Sequence, residues 1–205
     1  NINLSYFISF NLLSAIVLLL ILQPDLGQSI LLICTWISLI FVSGVNVLFL
    51  FLLFIFVIFL FLILLYLAPE KFSYIITRIT SFFDPTKADN SQSQKAIEAI
   101  KQGGLKGEGM GEGILKESVP EAHTDYIIAV ISEEFGSIVS IFVISIFLFI
   151  TFRIVKKIIN SSNNLYKLSL CGLSSLLVFQ TFIHVGVNAN LLPTTGMTLP
   201  FLSYE

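Results

Sequence analysis

The residues best suited to moving a proton lie in one short run, Val119-Pro-Glu-Ala-His-Thr-Asp125, where a long polar stretch gives way to an apolar one. Read as the start of a helix, the run puts Glu121 and Asp125 four positions apart, on one face. Two neighbouring carboxylates resist double ionisation. One pKa then rises, which suits that group to accept a proton near neutral pH. His123, between them, is a further polar contact for a substrate. A local reading competes: Ser118 to Glu121 spells a capping box with Pro120 in the first turn, and Asp125 then answers only the helix dipole. The residues alone leave both open.

Other polar groups sit where they are costly. Glu133 and Glu134 lie at least two turns deeper, where ionisable side chains face a bundle interior or a water-filled cavity. Ala129, Ser132 and Gly136 follow Asp125 along nearly one face, small enough for tight helix packing or for a lipid groove. Gln180, His184 and Asn188 recur every four residues as a polar stripe on an apolar helix. Such a stripe serves interhelical hydrogen bonds or walls a hydrophilic cavity. The glycines from Gly103 to Gly113, with Lys101, Lys106 and Lys116 nearby, can offer amides and cations to a diphosphate, or form a plain flexible linker. They are not a nucleotide loop, because no strand precedes them and no Gly-Lys-Ser/Thr ending occurs.

The elements that must hold these groups belong in a membrane. The 205 residues are 56% hydrophobic and 12% charged, about half the charge of a soluble domain. All 11 Lys and Arg lie between Lys71 and Lys167, which leaves long uncharged runs. The patterning predicts an all-α fold, a polytopic transmembrane bundle in one domain over 1–205, with spans at about 7–22, 28–45, 47–68, 125–152 and 168–187. Between the third and fourth lies a loop of about 69–124 with two short helices. The amphipathic one near Phe72–Phe83 lies flat in the interface, and the other covers about Ser91–Gln102. The link from Arg153 to Lys167 holds four basic residues and no acid, so it is placed in the cytoplasm and the long loop outside. By alternation, the turn Gln23–Gly27 and the C-terminal tail are outside too. Membrane lipid is the expected surroundings, and a net charge of −2 without a basic stripe argues against nucleic acid. Cys34 and Cys171 sit in apolar runs as free thiols, with no metal-ligand spacing. The chain starts at Asn1 without a Met and stops at Glu205 after an apolar stretch, so both ends are read as cuts in a longer protein.

Gln23-Pro-Asp-Leu-Gly27, Ala99-Ile-Lys-Gln-Gly-Gly-Leu105, the alternating glycines, Pro120-Glu-Ala-His-Thr-Asp125 and the run from Gly186 to Tyr204 together resemble the SEDS family of bacterial membrane proteins, nearer its division branch than its elongation branch. The resemblance implies a ten-span bundle of which this chain holds the fifth to ninth spans, and a peptidoglycan glycosyltransferase that polymerises lipid II into glycan strands during cell division. It implies a class B penicillin-binding protein and other divisome proteins as partners, and the inner membrane at the division septum as location. The family's essential loop aspartate maps onto Asp125, and an acid that modulates activity onto Glu117. Glu121, His123, Lys101, Lys106, Lys116, Gln180 and Asn188 are then the candidates for substrate contact. The motifs fix no cofactor, and a divalent cation, Mg or Mn, is the candidate assistant at the diphosphate. Three positions depart from the family: Thr195 stands where Lys is frequent, His184 where Asn is usual, and Ser203-Tyr204-Glu205 breaks the last motif. A lipid II flippase, in which Glu133, Glu134, Gln180 and His184 outweigh Asp125, and a non-catalytic division scaffold are the alternatives.

Overall fold

The computed structural model describes residues 2–46, 72–83, 90–119 and 122–203, with scattered positions from 48 to 63. Most of the expected third span, 47–68, lies outside the described residues, as do Pro120 and Glu121. Among the described residues all regular structure is helical. In order these helices are α1 (Ile2–Leu22), α2 (Leu26–Val42), α3 (Ser73–Phe83), α4 (Asn90–Gly103), α5 (Leu115–Ser118), α6 (Ile127–Phe135), α7 (Ser137–Asn160) and α8 (Asn164–Asn188).

α7 and α8 are long and apolar enough to cross a membrane, by length and composition. The 21 residues of α1 reach about 31 Å at the helical rise. α1 and α2 form a hairpin whose turn is set by Asp25, which caps α2 by accepting from the Gln28 amide at 3.0 Å. At the hairpin's open end the Tyr6 hydroxyl donates to Ser43 Oγ at 3.1 Å, and Phe10 packs on Trp36. α2 and α7 both pack against α8. Asn163 caps α8 through the Leu165 and Tyr166 amides, and Lys157 Nζ sits 5.7 Å over the Tyr166 ring, so the basic residues lie on the facing ends of α7 and α8, joined only by the extended stretch 161–163. The thiols are free, Cys171 buried and Cys34 half-buried.

The amphipathic helix α3 is tied to the turn end of the first hairpin by the Tyr74 hydroxyl, which donates to the Ile21 carbonyl at 3.3 Å. Ile75 is buried while Ile76, Ile79 and Phe83 are exposed on the apolar face. Burial, aided by Asp25 and opposed by Arg78, pushes the Tyr74 hydroxyl up from its ordinary pKa, so it stays a neutral donor.

Two expectations fail here. The single span expected at 125–152 is two helices, broken at Gly136, whose φ of 85° and ψ of 167° are open to glycine and strained for other residues. The second of these helices continues to Asn160, into the stretch read as a polar link. The capping box at Ser118 is not formed either, because Ser118 ends the short helix α5 instead of starting a long one.

Candidate functional site

Asp125 lies in the turn just before α6, which starts at Ile127. The expected shared helix face of Glu121 and Asp125 is therefore absent, since Asp125 is not helical. Its neighbour Tyr126 is 1% exposed and anchors the turn in a core that includes Ala129, Val187 and Met197.

The turn is held from the C-terminal part of the chain. α8 ends at Asn188, and the chain doubles back: the Leu191 and Leu192 amides both donate to the Gly186 carbonyl. Gly186 leaves room for this crossing, since a Cβ there would meet Leu192 Cδ1 at 2.7 Å. The returning tail is then bound along the polar stripe. Gln180 Nε2 donates to the Thr198 carbonyl at 3.0 Å, and His184 Nδ1 bonds the Met197 carbonyl at 2.8 Å. Asn188 Nδ2 donates to the carbonyls of Asp125 (2.9 Å) and His184 (2.8 Å), and its Oδ1 accepts from the Ala129 amide at 3.1 Å. Ser203 Oγ accepts from the Leu199 amide and donates to the Thr124 carbonyl, both at 2.8 Å. The stripe thus makes hydrogen bonds, chiefly to a returning tail and to the head of α6.

The tail also closes over Asp125 and over the first hairpin turn. A Cβ on Gly196, whose φ is +71°, would stand 4.0 Å from Asp125 Oδ2. A Cβ on Gly27 would meet Met197 Cγ at 2.5 Å and the Thr195 carbonyl at 2.8 Å. Segments around residues 27, 125 and 188–196, far apart in sequence, so meet at one end of the bundle. Thr195, at the position where the family often has Lys, is buried and brings no cation.

The long loop is clasped to the break between α6 and α7. The Glu133 carboxylate, 1% exposed, accepts from the Ile114 amide at 2.8 Å and the Leu115 amide at 3.1 Å. It caps the start of α5 in the bundle interior, the first of the two settings expected for a deep acid. The Glu108 and Gly109 amides donate to the Glu133 and Glu134 carbonyls, and the Ser137 amide donates to the Gly104 carbonyl. The glycines allow this contact. A Cβ on Gly103 would come 2.0 Å from the Ser132 carbonyl oxygen, one on Gly107 2.2 Å from that of Glu134, and one on Gly136 2.3 Å from that of Leu105. The run is a fitted backbone seam, not a flexible linker. Ser132, bonded to Ser140 Oγ at 2.7 Å, and fully buried Ala129 pack tightly, so their face is no lipid groove.

Of the site residues named from sequence, the fold gathers Asp125, Gln180 and Asn188 around the tail. Lys101, Lys106, Glu117 and His123 are exposed on the loop side, Lys116 belongs to α5, and Glu121 lies outside the described residues. Asn188 was expected to touch substrate, but it is 1% exposed and both its amide hydrogens are given to carbonyls. Lys95, on α4, donates to the Ser118 carbonyl at 3.1 Å. Among the described residues no three His, Cys, Asp or Glu side chains are grouped to hold a metal ion. Sequence reasoning missed Ser203 and Gly27 as parts of the site, and only their places within long motifs pointed to them.

The chain is 36% identical over 197 residues to a probable peptidoglycan glycosyltransferase FtsW of Caulobacter vibrioides (strain NA1000 / CB15N), covering 96% of this chain and 50% of that protein. It is 36% identical to the probable peptidoglycan glycosyltransferase FtsW of Francisella salina (94% and 49% covered) and 38% identical to that of Haemophilus ducreyi (91% and 48%). The chain spans about half the length of these curated relatives. Among solved structures, it aligns with a chain of a peptidoglycan synthase complex described for its structural coordination of polymerization and crosslinking. The TM-score is 0.65 at 23% identity, covering 93% of this chain and 53% of that one, which establishes a shared fold. The family profile for cell cycle proteins matches residues 2–205, and the chain belongs to the FtsW/RodA/SpoVE family of polytopic membrane proteins.

Proposed function

We propose that the protein containing this chain is a peptidoglycan glycosyltransferase that polymerises lipid II during division, with Asp125 as its general base. The observation that carries the reading is the placement of Asp125. Its carboxylate sits in a non-helical turn at one end of the bundle, beside Gly196 of the returning tail. An end-of-bundle carboxylate lets a polar reaction proceed at the membrane rim while polyprenyl tails stay in the bilayer. The acceptor sugar hydroxyl gives its proton to Asp125 as its oxygen bonds the anomeric carbon of the lipid-linked donor. The bond from that carbon to the diphosphate oxygen breaks, and the lipid diphosphate leaves with the electron pair, inverting the centre.

The leaving diphosphate needs charge stabilisation, not an acid. Lys101, Lys106 and Lys116 on the loop side are the proposed cations, with Glu117, Glu121, His123 and Gln180 as substrate contacts. A Mg or Mn ion is the other proposed source. Held by phosphate oxygens, water and one or two carboxylates, a habit of Mg, such an ion would supply that charge. The proposed partners are a class B penicillin-binding protein and other divisome proteins, and the proposed location is the inner membrane at the septum. The flippase reading loses support at two of the deep groups it relies on, because Glu133 is engaged by backbone amides and Gln180 by a tail carbonyl, while His184 bonds the tail through Nδ1 and keeps its buried Nε2 without a partner.

The test is to incubate the full-length protein and its partner with fluorescent lipid II, in detergent and in sealed vesicles. A ladder of glycan strands is expected. Movement of labelled lipid across vesicles with no polymer would favour transport instead.

A further inference from the structure

Two consecutive carbonyls in the Asp125 turn are each bound by a side chain from the far end of the chain. Ser203 Oγ donates to the Thr124 carbonyl at 2.8 Å, and Asn188 Nδ2 donates to the Asp125 carbonyl at 2.9 Å. A turn outside regular structure must find partners for its peptide groups elsewhere, and here these two side chains supply them. The same Asn188 accepts from the Ala129 amide, in the first turn of α6, so it fixes Asp125 relative to the helix that follows. It also donates to the carbonyl of His184, one turn back on its own helix, which fixes its own rotamer. Ser203 is fixed in turn by the Leu199 amide. Tyr126, next in sequence to Asp125, is buried in the core.

We propose that Asn188 and Ser203 are positioning residues that set the reach of the Asp125 carboxylate toward the acceptor hydroxyl. This rests on the reading of Asp125 as the base. Neither side chain needs to touch substrate. Asn188 is buried and both its N–H groups are engaged, so its effect passes through the Asp125 backbone. A general base displaced by about 1 Å loses up to about 100-fold in rate, while groups that bind the substrate elsewhere are unaffected. The signature is therefore a fall in kcat with KM for lipid II unchanged.

The experiment uses full-length protein with its partner, and compares Asn188→Ala, Ser203→Ala, Ser140→Ala and Asp125→Asn in lipid II polymerisation, with thermal unfolding of each as a check. Ser140→Ala removes a buried bond to Ser132 of 2.7 Å, away from the Asp125 turn, and serves as the stability control. The expected result is kcat lowered about 10- to 100-fold in Asn188→Ala and about 10-fold in Ser203→Ala, KM within about twofold, and Ser140→Ala at the wild-type rate. Ser203→Ala removes one oxygen from a half-buried tail residue, so it carries the test even if Asn188→Ala does not fold. With Asp125→Asn inactive, wild-type kcat in Ser203→Ala, a change in KM alone, or an equal loss in Ser140→Ala would overturn the positioning role and leave the base intact. Activity in Asp125→Asn would instead overturn the reading of the base.

Discussion

Removing the Glu133 carboxylate should open the long loop. Its oxygens accept from the Ile114 and Leu115 amides at 2.8 and 3.1 Å, and the side chain is 1% exposed. A hydrogen bond to a charged group contributes about 1.5–3 kcal/mol net, so two contribute about 3–6 kcal/mol. Part of this is offset in Glu133→Ala, because a buried charge no longer needs desolvation and the exposed loop end can hydrate. A net loss of about 3 kcal/mol remains, which moves the opening equilibrium of the loop about 100-fold. Glu133→Gln keeps the shape and one acceptor oxygen, and should lose about 1 kcal/mol, or about fivefold. Hydrogen exchange read by mass spectrometry, in detergent or nanodiscs, measures this directly. Exchange at the Ile114 and Leu115 amides should quicken by these factors, while amides near Val187 in α8 keep their protection. Exchange within twofold of wild type in both variants would refute the claim that Glu133 holds the loop.

Other substitutions test the remaining contacts. Gly103→Ala places a Cβ 2.0 Å from the Ser132 carbonyl oxygen, so the seam must separate; a loss of about 1–3 kcal/mol or more is expected by thermal unfolding. Gly136→Ala combines a φ of +85° with a Cβ 2.3 Å from the Leu105 oxygen, and should lower the unfolding midpoint at least as far. Gly27→Ala presses on the Thr195 carbonyl and Met197, and by displacing the tail beside Asp125 should cut polymerisation about 10-fold with α1 and α2 still folded.

Much of this arrangement was legible in the residues, and the failures have physical causes. Uncharged runs place the helices because a bilayer demands continuous apolar length. The long motifs identified the SEDS family, which the family profile and the FtsW relatives bear out. The break at Gly136 was not read, because a lone glycine in an apolar run is compatible with helix; only the close approach of Leu105 makes it a kink. The partners of Glu133 were not read, for a related reason. A buried acid is costly in any membrane segment, and nothing local shows that its partners are two amides 18 and 19 residues upstream. The polar stripe was correctly seen as one face of α8, but its partner is a tail whose path no periodicity records.

The central claim is that Asp125 accepts the proton in glycan polymerisation. It is tested most directly by incubating full-length protein and partner with lipid II and comparing wild type with Asp125→Asn, which keeps the side-chain shape and removes the base. Glycan strands from wild type alone, with the variant folded and still bound to its partner, are the predicted result. Strands from Asp125→Asn at the wild-type rate would contradict the account.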